Sequence, residues 1–157
     1  MSEDLIAPLV KRMRKLGLTL ATAESITGGG LGELITSVAG SSEIYLGGVI
    51  TYSDASKISQ LEIPRRIITK HTAVSEEVAR LMAENVRTLF KADYGISTTG
   101  VAGPGKAYGQ KAGTAWVAIA SKGQTHALQL ALSGDRAAIR QAVNESAIAA
   151  FARILSL

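Results

Sequence analysis

No cysteine occurs in the 157-residue chain, and histidine occurs only twice, as His71 and His126. The first absence excludes a disulfide framework and a thiolate nucleophile. The second, with no H-E-x-x-H pattern, removes the common zinc arrangements, so neither a metal nor a cofactor is expected. No run of about 18 apolar residues exists, which excludes a membrane-spanning helix. The N-terminal segment carries acids first and has no long apolar stretch, unlike a signal peptide. A cytoplasmic location is therefore expected. Aromatic residues are scarce at 4%. The basic run Lys11-Arg12-Met13-Arg14-Lys15 has no interleaved aromatics and lies on a helix face that reads as solvated. With a net charge of only +4, nucleic acid is not an expected partner.

What is present is an aliphatic composition, 46% hydrophobic and 19% charged, typical of a globular protein. The length fits one domain over residues 1–157, long enough to bury roughly 70% of the surface of its unfolded chain. Leu5, Ile6, Leu9, Val10, Met13 and Leu16 recur at helical spacing, so residues 3–16 read as an amphipathic helix ended by Gly17. A strand over 18–23 runs into a glycine-rich turn and a helix to about Val38. Residues 46–52 read as a second buried strand, followed by a short helix capped by Ser53 or Asp54. Ser75 caps a long helix with Glu76 and Glu77 in its first turn. Its apolar face comprises Val78, Leu81, Met82, Val86 and Leu89. A third strand covers 94–99. Residues 114–120 and 125–132 form a hairpin around Lys122-Gly123-Gln124, and a last helix runs from near Asp135 to about Ile154. The alternation predicts a three-layer α/β/α sandwich around a mixed sheet.

Ligands of open α/β sheets bind outside the carboxyl ends of the strands. Three such ends carry polar sequences: 24–30, 52–57 and 98–105. Ser25 and Thr27 sit between a strand and a glycine-rich helix start, where free N–H groups can hold an anion or a developing oxyanion. Thr27 is equally a good helix cap. Lys57 falls in a first helical turn, against the dipole and beside Ile58 and Leu61. Both effects lower a lysine pKa and make a usable base, although a solvated surface lysine is the alternative. Tyr52 ends the preceding strand, within reach of the same space. Ser–Lys pairs are a recognised substitute for Ser–His–Asp. Arg136 and Arg140 share a helix face and can fork a phosphate or carboxylate, or merely form surface ion pairs. Thr99 and Gly100 offer a hydroxyl and bare backbone at a strand end, and Gly103-Pro104-Gly105 is a turn. His71 reads as a loop residue and His126 as a strand-face residue. Glu24 reads as either a buried acceptor or a free carboxylate.

The chain resembles the CinA C-terminal domain family, which includes stand-alone nicotinamide mononucleotide deamidases. The resemblance rests on Thr22-Ala23-Glu24-Ser25 with Thr27-Gly28-Gly29, Gly40-Ser41-Ser42, Gly47-Gly48-Val49 with Thr51-Tyr52-Ser53 and Lys57, Ala73-Val74-Ser75-Glu76, Thr99 through Gly105, Gly113-Thr114 with Trp116, and Ser133-Gly134-Asp135-Arg136. It implies a mixed, mostly parallel five-stranded sheet and a homodimer. It also implies metal-free hydrolysis of the carboxamide of nicotinamide mononucleotide, a small phosphorylated nucleotide. By the same likeness Ser25 is the nucleophile, Lys57 the base and Tyr52 a relay or orienting group. Thr27, Gly28, Gly29, Thr99, Gly100 and Gly103 build the pocket, with N–H groups near 27–29 facing the oxyanion. Arg136 or Arg140 holds the phosphate. The chain departs from the family pattern at Ile26, at Asp54-Ala55-Ser56 and over 105–112, where the usual glycine run and Pro-Glu-Lys-Pro segment are missing. Two competing readings are a nucleotide-binding module without catalysis and a DNA-associated accessory protein.

Overall fold

A computed structural model describes residues 2–157, with side chains from Asp4 onward; Met1, included in the expected domain, lies outside the described residues. The elements run α1 (Ser2–Leu16), β1 (Leu20–Glu24), α2 (Gly30–Thr36), β2 (Tyr45–Ile50), α3 (Asp54–Leu61), α4 (Arg65–His71), α5 (Glu76–Phe90), β3 (Tyr94–Gly100), β4 (Thr114–Ser121), β5 (Gln124–Ala131) and α6 (Arg136–Ile154). The five strands form one sheet in the order β2-β1-β3-β4-β5. β1 pairs in parallel with both β2 and β3, whereas β4 is antiparallel to β3 and to β5. Only β4 therefore runs against the others, which is the mixed, mostly parallel sheet expected.

Two apolar layers sandwich the sheet. On one face Ile6, Leu9 and Met13 of α1, Leu31 and Ile35 of α2, and Ile139, Val143 and Phe151 of α6 pack against Leu20, Ile96 and Val117. On the other face Leu61 and Ile68 join Val78, Met82 and Val86 of α5 over Ala21 and Ala23. Among the described residues no helix is long and apolar enough to cross a membrane.

Several expectations shift. The strand over 46–52 is not buried. β2 lies at the sheet edge with one neighbour, so its residues alternate between half-buried and exposed, and it stops at Ile50, leaving Thr51 and Tyr52 beyond it. Leu89 is exposed in the last turn of α5, away from the face that Val78, Met82 and Val86 bury. His71 ends α4, a helix not singled out in the sequence, and lies 3.5 Å from Glu77. Caps behave as their chemistry requires. Ser53 caps α3 in a reciprocal capping box with Ser56, Ser75 accepts from the Val78 amide, and Asp135 accepts from the Ala138 amide.

The seam between α5 and β3 is made of small residues. Ser97 Oγ donates to the Ala79 carbonyl at 2.6 Å, and Ala79 and Ala83 pack on Ala118 and Ala120. A Cβ on Gly95 would fall on the Ala83 carbonyl oxygen and within 2.9 Å of the Arg87 Cβ. The helix can sit this close only because position 95 has no side chain. Gly95→Ala is expected to destabilise the fold by about 1–3 kcal/mol, the usual range for overpacking, read as a lower midpoint in urea unfolding.

Candidate active site

β1, β2 and β3 are parallel, so their carboxyl ends meet at one edge of the sheet, where Glu24 stands opposite both Ile50 and Thr98. The three polar segments expected to converge do so here. Side chains alternate faces along a strand. Glu24 consequently turns toward α2, while Ser25, just past the strand, meets Lys57 arriving from α3.

Glu24 is buried, and this resolves the alternatives left open by the sequence. Its Oε1 accepts from the Leu31 amide at 2.8 Å, the Gly29 amide at 3.2 Å and Thr27 Oγ1 at 2.6 Å, and its Oε2 accepts from the Gly32 amide at 3.0 Å. Thr27 Oγ1 also lies 2.8 Å from Thr98 Oγ1. A carboxylate is thus matched to the positive end of α2, with its charge satisfied by several donors. The helix cap is Glu24 rather than Thr27: position 29, the residue before the helix, makes no side-chain cap bond. The turn between them needs left-handed backbone at Gly28 and Gly29, whose φ values are 58° and 103°.

This arrangement uses up amides that the sequence reading assigned to an oxyanion. The Gly28 amide donates to the Ser25 carbonyl at 3.1 Å, and the Gly29 amide is taken by Glu24. Arg140, a candidate phosphate ligand, donates instead to the carbonyls of Ile26 (3.2 Å) and Thr27 (3.0 Å) and packs over Gly28. It ties α6 to the turn that carries Ser25.

Lys57 is only 1% exposed. Its Nζ donates to Ser25 Oγ at 2.9 Å and to the Thr51 carbonyl at 2.8 Å. An ammonium needs three acceptors, whereas a neutral amine can donate to Thr51 and use its lone pair toward Ser25. Burial lowers the Lys57 pKa to about 8, against an opposing attraction from Asp54. Asp54, three residues earlier on α3, has its Oδ1 buried without a hydrogen-bond partner.

Ser25 opens into a cavity of about 340 Å³ whose walls include Tyr52, Thr99, Lys106, Tyr108 and Arg136. The bare backbone of Gly100 and Gly103 forms part of the wall, and a Cβ on Gly100 would meet Ala115 and Ile26. Thr99 Oγ1 donates to the Ala73 carbonyl at 2.7 Å, fixing the strand end to the loop before α5. Tyr52 is 60% exposed at the rim. Its hydroxyl accepts from Arg136 at 2.9 Å, and the same guanidinium donates to the Gly103 carbonyl at 2.7 Å. The structure thus brings Ser25, Lys57, Tyr52, Thr99, Gly100, Gly103 and Arg136 to one cavity, and sets Thr27, Gly28, Gly29 and Arg140 behind it as support. Lys106 and Tyr108 were not singled out individually in the sequence; the departure of 105–112 from the family pattern was their only signal. Among the described residues no group of three or more His, Asp or Glu side chains is placed to hold a metal ion.

Asp54 holds the Lys57 pKa up, so Asp54→Asn is expected to move the Lys57 titration below pH 8. Side-chain NMR of labelled lysine measures it directly; an upward shift would contradict the electrostatic account.

The sequence profile of the CinA C-terminal domain family matches residues 2–155. The chain is 45% identical over 139 residues to a CinA-like protein of Gemmatimonas aurantiaca, covering 88% of this chain and 32% of that protein. It therefore spans about a third of the length of the curated relatives it matches. Among solved structures it resembles the competence damage-inducible protein A of Klebsiella pneumoniae, with a TM-score of 0.96 and 32% identity over 99% of this chain and 97% of that one. The Escherichia coli CinA superfamily protein gives a TM-score of 0.94 and 31% identity over 100% of this chain and 91% of that one. The fold, the length of the match and these identities agree: the chain belongs to the CinA C-terminal domain family.

Proposed function

We propose that the chain is an amidohydrolase that converts nicotinamide mononucleotide to nicotinic acid mononucleotide and ammonia through a serine–lysine mechanism. The observation that carries this reading is the 2.9 Å contact between Ser25 Oγ and the buried amine of Lys57. A serine hydroxyl is a weak nucleophile until an adjacent base takes its proton. A lysine whose pKa burial has brought to about 8 serves as that base near neutral pH.

In this reading neutral Lys57 accepts the Ser25 proton as Oγ attacks the carboxamide carbon. The amide of Ile26, which has no acceptor among the described residues, adjoins the nucleophile on the cavity wall and takes the place of the 28–29 amides as an oxyanion donor. Lys57 then returns the proton to the leaving nitrogen, ammonia departs, and a water assisted by Lys57 cleaves the acyl-enzyme. Arg136 at the rim receives the phosphate, and Tyr52 orients Arg136 through its hydroxyl. The substrate class itself is supported by the family resemblance and by a cavity that combines a nucleophile with a cationic rim.

Ser25→Ala and Lys57→Ala are each expected to lower ammonia release from nicotinamide mononucleotide by at least about 10³-fold, on the scale of lost nucleophile or base, with little change in thermal midpoint. Full activity in both variants would sink the mechanism. Ligand-induced thermal stabilisation of the wild type without ammonia release would identify a nucleotide-binding module instead.

The base must be neutral, so log kcat should rise with pH at a slope near one below pH 8 and level off above it. A profile flat from pH 6 to 9 would show that Lys57 is not the titrating base.

A further inference from the structure

The segment 105–112 is where the chain leaves the family pattern, and it is not a loose loop. Ala107 and Gln110 exchange two backbone hydrogen bonds, at 3.1 and 2.9 Å. Between them Tyr108 and Gly109 both have positive φ, at 53° and 72°, as a type I′ hairpin turn requires. Gln110 Nε2 donates to the Val74 carbonyl at 2.7 Å, tying the turn to the loop before α5. Tyr108, itself on the cavity wall, has its phenol pKa pushed upward by burial first, then by the Asp54 carboxylate and the Tyr52 hydroxyl. The turn is closed by its own pair of backbone bonds, is tied to Val74 by Gln110, and has Lys106 on the cavity wall.

No aspartate or glutamate lines that cavity, whereas Lys106 and Arg136 both do. Neither cation forms an ion pair with a carboxylate among the described residues. Of the five N–H groups of a guanidinium, Arg136 spends two on Gly103 and Tyr52 and keeps the rest. Two unneutralised cations on an acid-free wall raise the local concentration of anions, and a doubly charged phosphomonoester matches both at once.

We propose that Lys106, delivered by the Ala107–Gln110 turn, is a specificity-determining residue that pairs with Arg136 on the phosphate of the substrate. It makes the site select a nucleoside monophosphate over the neutral nucleoside. The assignment rests on the reading of this cavity as the substrate site.

The test compares kcat/KM for nicotinamide mononucleotide with that for nicotinamide riboside, which lacks the phosphate. Lys106→Ala should reduce this ratio about 10- to 100-fold, the range expected for one charge-assisted contact. Lys106→Arg should restore most of it. Lys122→Ala, in the β4–β5 turn, removes the same charge elsewhere and should leave the ratio unchanged. An unchanged ratio in Lys106→Ala, or an equal fall in Lys122→Ala, would overturn the proposal. If the wild type hydrolyses neither compound, the deamidase reading falls and the phosphate contact is read from calorimetric binding of nicotinamide mononucleotide alone. Binding weakened about tenfold or more by Lys106→Ala then sustains the inference, and equal or absent binding refutes it.

Discussion

A buried lysine amine holds the site together. Lys57 Nζ touches a residue from the end of β1 and another from the end of β2, through Ser25 Oγ and the Thr51 carbonyl, while its own backbone belongs to α3. Three separate elements therefore share one buried polar atom. A charged ammonium there would lack an acceptor and lose its hydration. Burial moves the balance toward the neutral form, with a pKa of about 8, and neutrality is what a base requires. The same burial that costs stability supplies reactivity, a trade common at functional sites.

Around this pair the fold works as a frame. The parallel strands β2, β1 and β3 bring three chain segments to a single edge, and the alternation of strand side chains separates their tasks. Glu24 faces α2 and takes up its first amides. Ser25 faces α3 and the cavity. Arg140 then clamps the carbonyls of Ile26 and Thr27 from α6. The turn bearing Ser25 is thus held from the helix, sheet and α6 sides, which is the support that precise placement of a nucleophile needs.

Much of the fold was readable in the chain because its cues are local. Helical spacing marked α1 and α5, Ser53, Ser75 and Asp135 marked helix starts, and Lys122-Gly123 marked the hairpin turn. Edge position was not readable for β2, because burial of a strand depends on its neighbours rather than on its own residues. Their positions at strand ends singled out Ser25, Lys57 and Tyr52, the family resemblance gave them roles, and the first-turn position with apolar neighbours gave reasons for a depressed lysine pKa. Burial proved to be the leading cause, with Asp54 opposing it.

By itself the sequence determined the order of the elements apart from α4, the caps at Ser53, Ser75 and Asp135, the mixed sheet and the family, since these follow from short-range patterning and from spaced motifs. Only the tertiary structure decided which polar groups are spent and which stay free. Glu24 consumes the Gly29 amide, the Ser25 carbonyl takes that of Gly28, and Arg140 turns inward while Arg136 faces the cavity. Lys106 reaches the cavity wall through a left-handed turn pinned to Val74. The bonds that commit Gln110 and Arg140 join residues 36 to 114 positions apart, and no local pattern encodes a partner that distant; those of Glu24 and Ser25 are local but depend on how the turn is folded. A donor's availability is a property of the packed molecule, because it depends on which acceptors the fold has already brought beside it.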